Sequence, residues 1–197
     1  MNFEDILKRD FRWPQKGDQV VQASLDRTRN AVVAPNIHTR AILMIKGYKT
    51  GADLMVEAAH NSNIDRDCLV YAVIFNYRHF VELSLKHLID DYGPTFGAVP
   101  NWKCHDFPTL WKEFRKILEV SGTDGSEEAD TIVERIVAEF AKIDPKSFSY
   151  RYVVDTNGNP LKVTVSELDL DWLKEVMDGV ANYFAGSNGY LSDLLNV

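Results

Sequence analysis

Residues 66–91 form the segment that most restricts the fold, because they predict one long and largely buried helix. The first part, residues 69–75, is apolar on every face of a helix, and a helix of that kind lies inside a protein. The second part becomes amphipathic, and Gly93 with Pro94 is typical of a helix end. Asp65 is suited to cap the first turn. We therefore expect a central helix with other helices packed around it.

Four further segments have apolar residues three and four positions apart, which is the pattern of amphipathic helices. Asp106 and Pro108 are typical of a helix start, and Gly186 is typical of a C-cap. Residues 20–30 and 37–46 fit helix less clearly, because Pro35 breaks the pattern between them. The predicted fold class is mostly α, a bundle of four to five main helices. The four segments cover about residues 51–60, 107–120, 127–143 and 169–185.

The periodicity changes between the last two helices. Phe148, Tyr150 and Tyr152 alternate with polar residues or valine, which is the pattern of a strand. Asn157–Gly158 is a strong turn signal, and residues 161–165 could return as a second strand. We therefore predict a β-hairpin at residues 147–165.

The hairpin segment also carries aromatic residues beside Arg151. Aromatic rings next to an arginine can stack on a nucleic-acid base. Alternatively, Phe148, Tyr150 and Tyr152 pack on the bundle while Arg151 points into solvent or toward an acidic partner, and the alternation favours this interpretation.

Length and charge limit the classes of function. A chain of 197 residues fits one domain, and we predict an irregular N-terminal arm over 1–19 and a single helical domain over 20–197. The net charge of −7 argues against a bulk electrostatic grip on nucleic acid or anionic membrane. The longest apolar run is too short to span a bilayer, and the N-terminus lacks the apolar core of a signal peptide. The predicted location is the cytoplasm, without membrane association.

The central helix carries a polar group that contrasts with its apolar surroundings. Arg78 and Glu82 are four residues apart, and His79 and Glu82 three apart, so they share one face with Asn76 nearby. In one interpretation Arg78 and Glu82 form an internal ion pair that fixes the packing of helices. In the other they line a pocket, in which Arg78 binds a phosphate or carboxylate and His79 transfers protons. Candidate catalytic and ligand-binding residues are therefore Arg78, His79 and Glu82, with Asn76 as a further ligand contact.

Histidines elsewhere add one further candidate. His105 precedes a helix start and could lie at the rim of the pocket, or act only as a capping or surface residue. No pair or triplet of histidines has metal-ligand spacing along the chain, so we predict no metal and no cofactor. The two cysteines form neither a disulfide framework nor a zinc pattern.

Several segments within residues 47–186 are typical of one group of proteins. They are Gly47-Tyr48-Lys49, Ala52-Asp53-Leu54, Leu69-Val70-Tyr71, Tyr77 to Lys86, His105-Asp106-Phe107, Leu110-Trp111, Asp144-Pro145, Phe148 to Tyr152 and Leu173 to Phe184. Together they resemble a group of uncharacterised bacterial helical proteins of the HEPN-like class. The resemblance implies a helical bundle with a nucleotide-related or RNA-related role, often as a metal-independent ribonuclease and frequently as a homodimer.

One departure from that class concerns catalysis. Its ribonuclease motif is an arginine followed, after four to six residues, by a histidine. After Arg78 the histidines are the adjacent His79 and His87, with eight residues between, so neither spacing fits. The leading hypothesis is a HEPN-like protein that binds a nucleotide, RNA or a protein partner through the polar group. The alternatives are a divergent metal-independent ribonuclease and a structural dimerisation module.

Overall fold

The computed structural model describes residues 12–123 and 128–195. The chain divides into two units, Met1–Ala34 and Pro35–Val197. Most of the predicted arm lies outside the described residues, and the described part of the first unit holds one 3₁₀ helix, Arg27–Arg29. Asp26 caps this turn by accepting a hydrogen bond from the backbone N–H of Thr28. Helix is therefore confined to three residues of the ambiguous segment 20–30.

Helix α1 spans Ile37–Ala59 and joins the ambiguous segment 37–46 to the predicted helix 51–60 without a break. Asn36 is its N-cap, and the Asn36 side chain accepts a hydrogen bond from the N–H of Thr39. Gly47 and Gly51 do not interrupt the helix, because packing against a neighbouring helix can outweigh their weak helix propensity.

Helix α2 spans Asn63–Phe96 and contains the predicted central helix. Ser62, and not Asp65, is the N-cap, and Gly97 ends the helix with a positive φ of 77°. The prediction that Gly93 and Pro94 end the helix is wrong. Pro94 lies in the last turn, where its missing N–H removes a single helical hydrogen bond.

Three helices complete the bundle, namely α3 (Phe107–Ser121), α4 (Glu128–Ile143) and α5 (Leu170–Leu195). The predicted start of α3 is confirmed, because Asp106 caps it and Pro108 lies in its first turn. The predicted C-cap at Gly186 is wrong. Helix α5 continues past this glycine and places Leu191 in the core with no exposed surface.

The predicted hairpin at residues 147–165 is wrong, since the described part of the chain contains no β-strand. A turn with Gly158 at a φ of 83° is present, but only one isolated antiparallel bridge, Val154 to Pro160, accompanies it. The carboxylate of Asp144 explains the difference. It accepts hydrogen bonds from the N–H groups of Phe148 and Ser149, which winds the backbone into turns and prevents an extended strand.

Helix α2 is the centre of the bundle and contacts α1, α3 and α5. Its buried face is not uniformly apolar, because Arg78, Glu82, Ser84 and Lys86 are buried beside the aliphatic and aromatic core. Among the described residues no helix has an apolar stretch long enough to cross a lipid bilayer. The fold is therefore an all-α bundle of five helices, over the residues described, with charged groups at its centre.

Candidate functional site

Glu82 is the centre of an ion cluster, which we define as Arg78, Glu82, Lys86, His105 and Asp144. Four of its members are buried, whereas the His105 side chain is 61% exposed. One carboxylate oxygen of Glu82 accepts hydrogen bonds from Lys86 Nζ and His105 Nδ1, both at 2.8 Å. The other accepts from Arg78 Nη1 at 2.9 Å. Helical spacing brings Arg78, Glu82 and Lys86 together along α2, whereas His105 arrives from the loop before α3.

Every nitrogen of the Arg78 guanidinium is used inside the protein. Nε donates to the backbone carbonyl of Asp144 at 3.0 Å, and Nη2 donates to that of His105 at 3.3 Å. The guanidinium also lies 4.5 Å from the centroid of the Phe107 ring. Arg78 has no exposed surface and Glu82 is 1% exposed, so neither offers a face to a ligand in solution.

Charge balance allows this cluster to remain ionised in the interior. Burial disfavours the Glu82 carboxylate, but hydrogen bonds from Lys86 and His105 outweigh that cost and hold the pKa of Glu82 below its ordinary value. Asp144 supplies the second anion, with Oδ2 3.8 Å from Arg78 Nε. Two buried cations thus face two buried anions, and the cluster ties α2 to the segments before α3 and after α4.

Asn76 and His79 lie outside the ion cluster, although the sequence places them beside it. Asn76 Nδ2 contacts Met55 Sδ of α1 at 3.6 Å. The His79 ring stacks on Phe75 with centroids 5.6 Å apart and meets Tyr48 edge-on at 4.4 Å. The structure therefore brings together Arg78, Glu82 and His105, and it separates them from the other two predicted residues.

His79 has an environment that favours its neutral form. Burial is the main cause that lowers its pKa, and the positive charges of Lys86, Arg151 and Arg78 lower it further, against an opposing effect of Glu82. Within residues 12–123 and 128–195, neither ring nitrogen has a hydrogen-bond partner. A neutral imidazole with free nitrogens can both donate and accept a hydrogen bond.

Arg151 is the centre of an aromatic group that we call the Arg151 surface, formed by Phe75, His79, Phe148, Arg151 and Tyr152. The guanidinium carbon lies 5.1 Å from the ring centroid of Phe75, 5.4 Å from that of Phe148 and 5.5 Å from that of Tyr152. Arg151 Nε donates to the carbonyl of Ser147 at 2.6 Å, which fixes the direction of the side chain. Its two terminal nitrogens have no hydrogen-bond or ion-pair partner in the described part of the chain.

The Arg151 surface was only partly visible in the sequence. The aromatic residues around Arg151 are a signal for it, but the alternation predicts Tyr150 and Tyr152 on one face. In the structure Tyr150 is buried, whereas Tyr152 is 55% and Phe148 42% exposed. Phe75 and His79 come from a helix more than 70 residues earlier in the chain, so no local pattern could include them.

A groove of about 760 Å³ lies beside this surface. Phe148 and Tyr152 form part of its wall, and Lys146 and Asp155 are its charged residues. The Asp155 carboxylate is engaged in its own turn, where hydrogen bonds from Asn159 and Asn157 lower its pKa. The groove therefore offers exposed rings next to the free end of Arg151.

A third group of polar side chains lies where α1 begins and α2 ends. His38, His87 and Asp91 offer one ligand atom each, and all three atoms lie within 4.8 Å of one another. The spacing of histidines along the chain does not reveal this group, because its members come from two helices.

Comparison of the chain with models of protein families, with curated proteins and with solved structures found no match. The fold and the site define an all-α helical bundle with a largely buried ion cluster and an exposed arginine among aromatic rings.

Proposed function

We propose that this helical bundle is a HEPN-like protein that binds single-stranded RNA or a nucleotide through the Arg151 surface. The observation that carries the proposal is the Arg151 guanidinium, held among three aromatic rings by its Nε while both terminal nitrogens stay free. A guanidinium with free terminal N–H groups matches the oxygens of a phosphate. The exposed ring of Tyr152 offers a face on which a base can stack.

His79 adds a polar contact to this surface. Its lowered pKa keeps the imidazole neutral near pH 7, so it can hydrogen-bond a ribose hydroxyl or a phosphate oxygen. His79 is the one residue of the polar group predicted on the central helix that belongs to this surface. Arg151 takes the role predicted for Arg78, because the Arg78 guanidinium has all its partners inside the protein.

Because the whole chain is negatively charged, we expect RNA binding to depend on short-range contacts and little on long-range electrostatic attraction. With a net charge of −7, long-range attraction to phosphates is absent, so affinity has to come from contacts at the surface itself. We expect few phosphate contacts and a shallow dependence of affinity on salt. Stacking of bases on Phe148 and Tyr152 then supplies most of the binding free energy.

Fluorescence anisotropy with a labelled single-stranded RNA tests the proposal. Loss of a hydrogen bond to a charged group costs about 1.5 to 3 kcal/mol, so Arg151→Ala is expected to weaken binding by about 10- to 150-fold. Tyr152→Ala should weaken it by about 5- to 150-fold through the loss of stacking. The matched control is Arg135→Ala, an exposed arginine of α4 without an ion pair or ring contact among the described residues. Equal affinities of the Arg151 and Arg135 variants for RNA would contradict the proposal.

Two further arms of this experiment define the ligand and the chemistry. Competition by a mononucleotide distinguishes a single-base site from a surface that needs several linked nucleotides. The divergent ribonuclease alternative is favoured by one observation, that the His79 ring and the Arg151 guanidinium both lie against the ring of Phe75. That alternative predicts cleavage of the labelled RNA without added metal, and loss of cleavage in His79→Gln at an unchanged melting temperature. Intact RNA after long incubation with the unchanged protein would reject it.

A further inference from the structure

The start of α1 and the end of α2 meet at one end of the helical pair that they form. A connection of three residues, 60–62, joins the two helices, and helices joined by so short a connection run antiparallel. His38, in the first turn of α1, therefore faces the last part of α2. His87 and Asp91 lie there one turn apart, on the same side of that helix.

Two distances among these three side chains, which end on different oxygens of the Asp91 carboxylate, are close to the edges of a metal coordination shell. His38 Nδ1 lies 3.6 Å from Asp91 Oδ1, and His87 Nε2 lies 3.4 Å from Asp91 Oδ2. Ligand atoms placed tetrahedrally around Zn²⁺ at its usual bond lengths are separated by about 3.3 to 3.5 Å. The two imidazole rings have centroids 5.1 Å apart and are tilted by 57°, so they converge and are not stacked.

These separations are longer than ordinary hydrogen bonds. An N–H···O bond in a protein has its heavy atoms about 2.7 to 3.2 Å apart, and both histidine–aspartate distances exceed that range. By contrast, His60 and Asp171 form a hydrogen-bonded pair on the surface at 2.9 Å. The His38–His87–Asp91 group thus brings two nitrogens and a carboxylate oxygen within 4.8 Å of one another, without closing a hydrogen bond between them.

We infer that His38, His87 and Asp91 form a binding site for a divalent transition-metal ion of the Zn²⁺ type. Two imidazole nitrogens favour Zn²⁺ over Mg²⁺ and Ca²⁺, which prefer oxygen ligands. Three protein ligands leave one position of a tetrahedral ion open to water or to a further ligand. The site is accessible to an ion from solution, because the His38 side chain is 58% exposed.

This site is independent of the proposed RNA-binding function, since it uses none of the residues of the Arg151 surface. The spacing of histidines along the chain does not predict this site, because its ligands come from two helices. Bound metal would cross-link α1 to α2 at the open end of their pair, opposite the three-residue connection. A consequence is that metal raises the thermal stability of the protein.

The inference is tested by titrating Zn²⁺ into the full-length protein, freed of metal with a chelator, in a calorimeter. We expect one equivalent of Zn²⁺ per chain. Asp91→Asn keeps the shape of the side chain and should weaken the affinity at least tenfold, and His38→Ala, at an exposed position, should do the same. The matched control is His60→Ala, which removes a surface histidine that also faces an aspartate. It should leave the affinity unchanged.

Several outcomes would overturn the inference. These are no heat of Zn²⁺ binding, an affinity that neither Asp91→Asn nor His38→Ala reduces, and an equal loss of affinity in His60→Ala. Substitution with Co²⁺ adds a spectroscopic check, because thiolate ligands give a charge-transfer absorption that nitrogen and oxygen ligands lack. Such an absorption would assign the ion to Cys68 or Cys104, both free thiols, and would also overturn the inference.

Discussion

Glu82→Gln is the most informative substitution for the stability of this fold. The glutamine keeps the size and shape of the side chain but removes the negative charge that three donors share. Arg78 Nη1, Lys86 Nζ and His105 Nδ1 all contact the Glu82 carboxylate. The side-chain NH₂ group of the glutamine would also face one of these nitrogens, and two donors cannot form a hydrogen bond with each other. The variant therefore leaves Arg78 and Lys86 in the interior with one anion, Asp144, in place of two.

The magnitude follows from the burial of both partners. The Arg78 side chain is 1% exposed and the Glu82 side chain 2% exposed, so water cannot replace the lost contacts. Removal of one member of a buried ion pair costs about 3 to 5 kcal/mol in unfolding free energy. For a chain of this length each kcal/mol lowers the melting temperature by about 2 to 4 °C. We therefore expect Glu82→Gln to melt about 6 to 20 °C below the unchanged protein.

Urea and thermal unfolding followed by circular dichroism measure this difference. The matched control is Glu119→Gln, because Glu119 also pairs with an arginine four residues away, at 3.9 Å, but its side chain is 61% exposed. The control should lose at most about 0.5 kcal/mol. The reasoning would be refuted if Glu82→Gln unfolded within 1 kcal/mol of the unchanged protein, roughly the size of a surface effect.

Two more predictions concern pH and glycine. Because the folded-state pKa of Glu82 lies below its unfolded value, its contribution is complete above the ordinary glutamate pKa of about 4.3 and is lost as pH falls through the folded value. Stability measured from pH 6 downward should therefore decrease more steeply in the unchanged protein than in Glu82→Gln, and parallel curves would contradict this. Gly93→Ala should destabilise the protein, because its Cβ would lie 2.9 Å from the carbonyl oxygen of Ala98. Gly47→Ala, at an open position of α1, should gain about 0.5 to 1 kcal/mol in urea unfolding, and equal effects at the two glycines would count against the argument.

The helices differ in how far local signals define their ends. The start of helix α3 is predicted well, because Asp106 caps its first turn through a contact between residues close in sequence. Helix α5 is predicted too short, because burial of Leu191 favours continuation beyond Gly186. Leu191 is buried by residues of other helices, and a signal from neighbouring residues along the chain contains no information about them.

In the segment after α4, a competing hydrogen-bond acceptor explains why the alternating pattern does not form the predicted strand. Phe148, Tyr150 and Tyr152 alternate as in a strand, but Asp144 captures the first N–H groups of the segment. Arg151 then lies over Phe75, so that the aromatic residues cluster around a cation. The alternation shows which side chains would share a face if the segment were a strand. It does not show that the Asp144 carboxylate competes for the backbone N–H groups that a strand would need.

Taken alone, the sequence determined the helical class, the buried central helix and the proximity of Arg78 to Glu82, because helical geometry relates residues four positions apart. Only the tertiary structure decided which other groups join them. His105 and Asp144 complete the ion cluster from distant segments, while His79 turns toward Tyr48 and Phe75. The physical reason is that contacts between helices depend on how whole side-chain surfaces pack, and spacing along one helix does not contain that information.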